Sequence, residues 1–270
     1  MQKTILITGS TDGIGLETAK ILVSQGHCVL LHGRNPAKLK AVEESLSGLP
    51  GGGCVESYLS DLSNMADVEA LAKAVTERYK QLDVLINNAG IFKVANAVTA
   101  AGLDVRFAVN TLAPYLLTQR LLPLLSTTGR VVNLSSAAQV PVDLQALAGR
   151  VALPDDFAAY AQSKLAITQW SRAMALSLAD KGPVVVAVNP GSLLGSKMVK
   201  EGFGVDGGDI RIGADILVRA ALSDEFETAS GLYFDNDAGQ FAPPHAEALD
   251  VHKCEAVVRA IEEILAEQVS

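Results

Sequence analysis

The chain has 270 residues, of which 49% are hydrophobic, 5% aromatic and 19% charged, with a formal net charge of -8. That length carries one full core, and an aliphatic, aromatic-poor composition with a mean hydropathy of +0.27 fits a sheet buried on both faces. A negative balance without any Lys/Arg-rich stretch argues against nucleic acid and anionic membrane as partners.

From the N-terminus, Met1-Gln2-Lys3 runs directly into Ile5-Leu6-Ile7 and leaves no room for a signal peptide, so the expectation is a soluble, cytoplasmic protein. Apolar, β-branched runs at 4–8, 27–32, 54–59, 84–86, 131–134, 184–188 and 232–234 read as strands. Helical patterns fill the gaps at about 14–25, 36–47, 65–80, 100–125, 157–180, 210–222 and 245–268. This rhythm predicts an α/β fold: a single domain with a doubly wound parallel sheet of about seven strands and helices on both faces. No internal repeat interrupts it, and Gly51-Gly52-Gly53 reads as a turn. The apolar stretch 112–125 is too short, and too broken by Pro114, Arg120 and Pro123, to span a bilayer, so it reads as a core helix.

Two stretches leave the rhythm. Residues 137–156, with Pro141, Gly149 and Pro154, read as a loop around a short helix; residues 192–209, with five glycines, read as a mobile loop. Such loops at strand ends tend to carry binding function. The last helix is amphipathic around 257–265 and suits packing on the domain, covering the cleft or meeting a partner subunit. Cys28, Cys54 and Cys254 are scattered and odd in number, which reads as reduced thiols that pack rather than react. His245 and His252 have no ligand-like neighbours in sequence and read as surface residues, so no metal site is expected.

Chemistry is concentrated in two motifs. The first strand ends in Thr8-Gly9-Ser10-Thr11-Asp12-Gly13-Ile14-Gly15, just before a helix. Glycines let such a turn approach a pyrophosphate, and the helix start supplies free N–H groups and partial positive charge. Any tight strand-to-helix corner also favours glycine, and the spacing differs from the familiar GxGxxG. In the second motif, Tyr160 and Lys164 stand four apart, on one face of a helix. A phenol ordinarily ionises near pH ~10, and a neighbouring cation favours phenolate, so the pair is a candidate acid/base. The spacing alone equally describes an ordinary helix face.

Taken together, Thr8-Gly9-x-x-x-Gly13-Ile14-Gly15, Asn87-Asn88-Ala89-Gly90, Tyr160-x-x-x-Lys164 and Asn189-Pro190-Gly191 resemble the short-chain dehydrogenase/reductase family, in that family's order and over about residues 4–235. The resemblance implies a Rossmann-type domain that transfers hydride between a nicotinamide cofactor and an alcohol/carbonyl substrate. It implies cofactor contacts from Gly9, Ser10, Thr11, Asp12, Gly13, Ile14 and Gly15, from Asp61 and Leu62, from Asn88, Ala89 and Gly90, and from Pro190 and Gly191. Asp61 would accept from the adenine amino group, or else cap the helix near 64. Asn87 would shape the ribose floor with Gly90, or else tie neighbouring strands.

Gly33 stands where NAD enzymes of the family often carry Asp, and Arg34 follows it. Arg34 would clamp a 2′-phosphate through charge-assisted bonds of ~1.5–3 kcal/mol each, or else be a solvated loop residue. The expected cofactor is therefore NADP(H), with NAD(H) the alternative. Asp12 counts against it, because NADP enzymes often have a basic residue in that turn.

At the catalytic end the resemblance implies Tyr160 as acid/base, with Lys164 holding the nicotinamide ribose and lowering the phenol. Ser136 would orient the substrate oxygen, with Ser135 as the alternative and strand-end capping open to both. Asn110 would complete a water relay to the lysine, or else be a helix amide bonded to backbone. Two departures stand out. Ser136 and Tyr160 are 24 positions apart, which is similar to the branch holding retinol dehydrogenases and protochlorophyllide reductases. That implies a bulky apolar substrate lined by Val140, Leu144, Leu147, Val151, Leu153 and Phe203. Gly195 stands where the family's carboxamide-binding Thr is expected, leaving Ser196 as the substitute. A catalytically silent nucleotide-binding sensor or scaffold is the rival reading, opposed by the complete Ser136, Tyr160 and Lys164 set. A sugar-nucleotide epimerase would need a larger substrate domain. Many relatives form homodimers through helices matching 100–125 and 157–180, and others are monomers; Trp170 suits either a core or such an interface.

Overall fold

A computed structural model describes residues 1–268. The first half repeats one unit: β1 (Thr4–Ile7), α1 (Gly13–Ser24), β2 (Cys28–Gly33), α2 (Pro36–Ser47), β3 (Cys54–Leu59), α3 (Met65–Arg78) and β4 (Leu82–Asn87). Each of these helices starts at a side chain that takes a first-turn N–H: Asp12, Asn35 and Asn64. The second half runs α4 (Val105–Phe107), α5 (Ala113–Leu121), β5 (Leu125–Leu134), α6 (Leu144–Leu147), α7 (Asp156–Leu178) and β6 (Val184–Asn189). It closes with α8 (Lys197–Phe203), α9 (Arg211–Leu222), β7 (Tyr233–Asp235), β8 (Gln240–Phe241), α10 (Ala246–Leu249) and α11 (Val251–Gln268).

The sheet has eight strands in the order β3-β2-β1-β4-β5-β6-β7-β8. Every pairing is parallel except β7–β8, which is antiparallel; the two-residue β8 is the strand beyond the seven expected. Strand side chains alternate between two cores. Leu6, Leu30, Leu85, Val131 and Val185 face α3, α5, α7 and α11, whereas Ile5, Val29, Val84, Val132 and Val186 face α1, α2 and α9. Each aliphatic side chain so buried contributes about 1.5–3 kcal/mol. The strand order reverses at β1, between β2 and β4, and the crevice beyond the carboxyl ends of such strands is where ligands sit in this architecture.

Several elements differ from the sequence reading. The expected helix 100–125 is broken: after α4 the chain widens into a π-turn at Ala108–Leu112, and Ala113 N–H donates to Ala108 O. Pro114 accounts for this, because it has no N–H for the Asn110 carbonyl and its ring would crowd that oxygen. The expected helix 245–268 divides at Asp250, which caps α11 by accepting from His252 N–H. The glycine-rich stretch 192–209, read as a mobile loop, contains α8. Trp170 is wholly buried within the chain, edge-on to Tyr115 at 5.5 Å. Beside it α11 packs with Val257, Ile261, Ile264 and Leu265 buried, and Tyr115 donates to Glu262 at 2.8 Å.

The reduced-cysteine expectation is corrected. Cys28 and Cys54 are joined as a disulfide between β2 and β3, and Cys254 is a free, buried thiol. Their separation of 26 positions hides a direct pairing that strand register creates. Closing a loop of that length stabilises the fold by about 3 kcal/mol in the chain-entropy account. Thiol titration of the unfolded, unreduced protein is expected to find one reactive cysteine, and Cys54→Ser to lower the denaturant midpoint. Three reactive thiols would remove the bridge.

Candidate active site

The glycine turn after β1 is shaped by close approach. A Cβ on Gly9 would lie 2.9 Å from Ala89 Cα, and one on Gly15 would lie 2.4 Å from Asn88 Nδ2 and 2.5 Å from Gly9 O. Asn88 Nδ2 donates to Thr8 O at 2.9 Å and to Gly9 O at 3.0 Å, and Ala89 N–H donates to Thr8 Oγ1 at 3.1 Å. Gly13 has φ +60, and its absent side chain leaves nothing nearer than Ile210 Cδ1 at 3.9 Å. Asp12 Oδ1 accepts the Gly13 N–H, while the next N–H groups at the start of α1 lack helical acceptors. Bare backbone beside free N–H groups fits a dinucleotide pyrophosphate.

At the edge of this turn Gly33 packs against Thr11: a Cβ there would meet Thr11 Cγ2 at 2.6 Å, so Thr11 would have to turn aside. Arg34 is exposed, and among the described residues no ion pair engages it. Lys38, on α2, pairs with Asp12 Oδ2 at 2.8 Å, and this bond is the main reason the Asp12 carboxyl is held below its ordinary value. The basic group absent from the turn is thus brought to it from α2, a contact that sequence reasoning missed. Asp61 is half-buried and accepts from Ser63 N–H at 3.0 Å and Ser63 Oγ at 2.8 Å, both through Oδ1. The cap of α3 is Asn64, not Asp61, and Leu62 is buried in the core. Asn87 ties strands, donating to Asn133 Oδ1 at 2.8 Å and Thr118 Oγ1 at 3.0 Å.

The two serines after β5 separate cleanly. Ser135 is buried, donates to Lys164 O at 3.1 Å and bonds Thr168 Oγ1 at 2.6 Å, so it fastens β5 to α7. Ser136 is half-buried; its Oγ accepts from Ala138 N–H at 3.1 Å, and its hydroxyl lies close enough to the Tyr160 phenol to act on it. Its carbonyl accepts from Gln139 Nε2 at 2.8 Å and Tyr233 OH at 3.1 Å. Lys164 is 4% exposed; its Nζ lies 5.7 Å from the Tyr160 ring centre and donates to Leu134 O at 2.7 Å. Burial pushes the Tyr160 phenol above its ordinary value, and the Ser136 hydroxyl is what pulls it back. Burial lowers Lys164 to about 8. The ammonium sits over the ring and bonds the Leu134 carbonyl instead of the phenol oxygen.

Asn110 lies in the π-turn, wholly buried. Its side chain accepts from Ile91 N–H at 2.9 Å and donates to Ile91 O at 3.0 Å and Ser163 Oγ at 2.9 Å. The amide is thus spent on the segment after β4 and on α7. A Cβ on Gly90 would lie 3.3 Å from Lys164 Nζ and 3.6 Å from Asn110 Oδ1, so these three residues converge.

Two supports of the tyrosine escaped sequence reasoning. Phe92 stacks on it with centroids 5.2 Å apart, and a Cβ on Gly202 of α8 would meet Phe92 Cδ1 at 2.6 Å. Buried Arg106 donates to Asp104 Oδ2 at 2.7 Å and also to Asp156, one turn before Tyr160 on α7. Neither left a motif in the sequence, because each joins separate elements.

After β6, Gly191 takes φ +120 and its N–H donates to Asn189 Oδ1 at 3.3 Å. Asn189 Nδ2 donates to Asp235 and Asp237, both at 2.9 Å, and Asn236 donates to Pro190 O at 2.9 Å, so residues at and after β7 hold this turn. Ser196 caps α8 by accepting from Val199 N–H at 3.3 Å. Of the residues expected to line an apolar pocket, Leu147 is wholly buried, Leu144 and Leu153 pack on the same core, and Val151 is half exposed. The side chain of Phe203 lies outside the described residues. His245 caps α10, and His252 is exposed beside Glu255.

Ser136, Tyr160 and Lys164 thus meet next to the glycine turn, at the carboxyl ends of the central strands. The family described as short chain dehydrogenase matches residues 3–203. The chain belongs to the short-chain dehydrogenase family. Among its relatives, it is 30% identical to retinol dehydrogenase 13 of Mus musculus over 267 residues, covering 92% of this chain and 80% of that protein. It is 33% identical to retinol dehydrogenase 12 of Bos taurus over 257 residues, covering 90% and 81%. A solved short chain dehydrogenase from Burkholderia cenocepacia J2315, in complex with NADP, superposes with a TM-score of 0.71 at 26% identity, covering 88% of this chain and 97% of that one. The architecture is that of this oxidoreductase family. Among the described residues no helix is long and apolar enough to cross a membrane.

For a short-chain dehydrogenase the cradle around Gly15 is the sharpest test of cofactor fit. Gly15→Ala is expected to displace the Asn88 amide and weaken NADPH binding at least tenfold, an overpacking cost of about 1–3 kcal/mol. Gly48→Ala, whose Cβ meets nothing nearer than 3.8 Å, should leave the affinity unchanged in the same fluorescence titration.

Proposed function

We propose that this short-chain dehydrogenase is an NADP(H)-preferring oxidoreductase acting on an alcohol/carbonyl pair, with Tyr160 as general acid/base. The observation that carries this reading is the buried Lys164 ammonium 5.7 Å from the Tyr160 ring centre, with Ser136 beside the same phenol. When bound, the nicotinamide supplies or accepts the hydride. The chain's own residues do the rest. Ser136 donates to the substrate oxygen and orients the carbonyl beside the phenol. Tyr160, kept protonated by burial, gives its proton to that oxygen as negative charge develops in reduction, and takes it back in oxidation. Lys164 holds ribose hydroxyls and offsets the charge left on the phenolate.

The exposed Arg34 with no competing acid supports NADP(H), as does Lys38, which neutralises Asp12. A side chain at position 33 would also have to displace the Thr11 methyl, 2.6 Å from its Cβ. Similarity to retinol dehydrogenases supports a bulky apolar substrate class.

Fluorescence titration is expected to show tighter binding of NADPH than NADH, with Arg34→Ala costing NADPH alone at least tenfold, in keeping with a charge-assisted bond. Equal affinities would sink the NADP preference and leave the oxidoreductase standing. Tyr160→Phe should bind NADPH normally yet reduce no aldehyde or ketone on a panel that includes retinal. Binding by wild type without turnover on that panel would replace an enzyme with a nucleotide-binding sensor. Reduction should also depend on pH through Lys164, whose charge is complete well below its value of about 8 and lost above it. The kcat/KM for NADPH, which reports the free enzyme, should be flat from neutral pH and fall about tenfold per unit above that point. A profile flat to pH ~10 would mean that the ammonium is not needed.

A further inference from the structure

His32 is buried at 3% exposure on β2, yet no step of the proposed reaction uses it. Its neighbours explain why an imidazole is there. Nδ1 lies 3.0 Å from Gly9 N and Nε2 lies 3.1 Å from Ser60 O. Gly9 N–H can only donate, so Nδ1 carries no proton; Nε2 carries it and donates to Ser60 O. The backbone of His32 is held as tightly: Ser10 N–H donates to His32 O at 3.0 Å and His32 N–H donates to Ser10 Oγ at 2.9 Å.

Topology makes this contact consequential. β2 lies between β1 and β3, so the Gly9 turn and the Ser60–Asp61 strand end are two strand spacings apart, roughly 10 Å, too far for backbone bonding. The β2 backbone bonds each end separately, Ser10 N–H to His32 O and Ser60 N–H to Gly33 O, and the His32 side chain is the single group that touches both. We propose that His32 is a positioning residue of the cofactor site: its neutral imidazole sets the distance between the pyrophosphate turn at Gly9 and the adenine seat at Asp61. This rests on the dinucleotide reading of that end of the sheet. Gly9 has φ +65 and no side chain, and its peptide unit is held at both ends: the N–H by His32 Nδ1 and the Thr8 carbonyl by Asn88 Nδ2. An aliphatic residue would leave the Gly9 N–H and the Ser60 carbonyl unmet in a closed environment. A charged ring would turn Nδ1–H against Gly9 N–H. Burial keeps the ring neutral, down to about 4, against the opposing pull of the Asp61 carboxylate.

The test compares three variants of the full chain by NADPH titration and steady-state kinetics. His32→Asn keeps an oxygen near the Nδ1 position, His32→Gln keeps an amide nitrogen near the Nε2 position, and His32→Leu keeps neither. His32→Leu is expected to raise the Kd for NADPH about tenfold, as for a polar group left unpaired, with kcat at saturating NADPH within about twofold of wild type. His32→Asn should recover most of the affinity through Gly9, and His32→Gln less. Unchanged affinity in His32→Leu, or kcat falling as Kd rises while Asn and Gln rescue nothing, overturns the proposal. Nitrogen NMR of the wild-type ring is independent of variant folding. It should show the Nε2–H tautomer, unchanged from about pH 8 to 5.5, and a ring that titrates near its ordinary value overturns the assignment. Wild type that binds neither NADPH nor NADH fails at the earlier step and removes the cofactor reading with it.

Discussion

The site depends on how closely the end of β1 approaches the end of β4. At that crossing Gly9 lies against Ala89, Gly15 lies against the Asn88 amide, and that amide bonds two successive carbonyls of the turn. A side chain at either glycine would push the turn away from β4. The constraint comes from sheet order: β1 is flanked by β2 on one side and β4 on the other, so its carboxyl end opens onto the crevice between them. From the same strand end, Asn87 reaches Asn133 on β5, and β5 in turn delivers Ser135 and Ser136 to α7. One close-packed crossing therefore aligns the cofactor turn with the reacting side chains.

The electrostatics of the reactive end follow from burial more than from pairing. Removing Lys164 from water weakens its hold on a proton, while the same removal strengthens that of Tyr160. Burial favours the neutral form of each: the phenol is held protonated, and the ammonium gives up its proton more readily than an exposed lysine. Ser136, beside the phenol, works against that burial. A group that also supplies hydroxyls near Lys164 would draw its ammonium from the Leu134 carbonyl toward the reaction. The supports for this geometry lie on other elements: Arg106 anchors the start of α7 through Asp156, and Phe92 transmits the position of α8 to the Tyr160 ring.

The stretch around Asn110 shows how sequence and structure divide the explanation. Its motif pointed to a relay residue, and its alternative was an amide bonded to backbone. The structure gives the side chain to Ile91 and Ser163, while Pro114, four residues on, denies the carbonyl the usual i+4 donor. Both facts can be traced to residues visible in the chain, yet a proline inside a helical pattern announced only a break, not the π-turn that resolves it. In the same way Ser135 and Ser136 were equivalent as letters. Just past the end of β5, Ser135 turns into the packing between the sheet and α7, and Ser136 stays half-buried beside the Tyr160 phenol.

Local order is what the sequence by itself determined. The strand and helix rhythm, the glycine turn and the i,i+4 spacing of Tyr160 and Lys164 all rest on interactions within a few residues, so their signals survive in one dimension. The tertiary structure alone decided contacts that join distant segments: the Cys28–Cys54 bridge, the Lys38–Asp12 pair, the Tyr233 bond to Ser136, the hold of β7 on the Pro190 turn and the reach of His32 from Gly9 to Ser60. Each depends on strand order and register, which a periodic pattern does not encode: it tells which face a side chain takes, but not which neighbour it meets there.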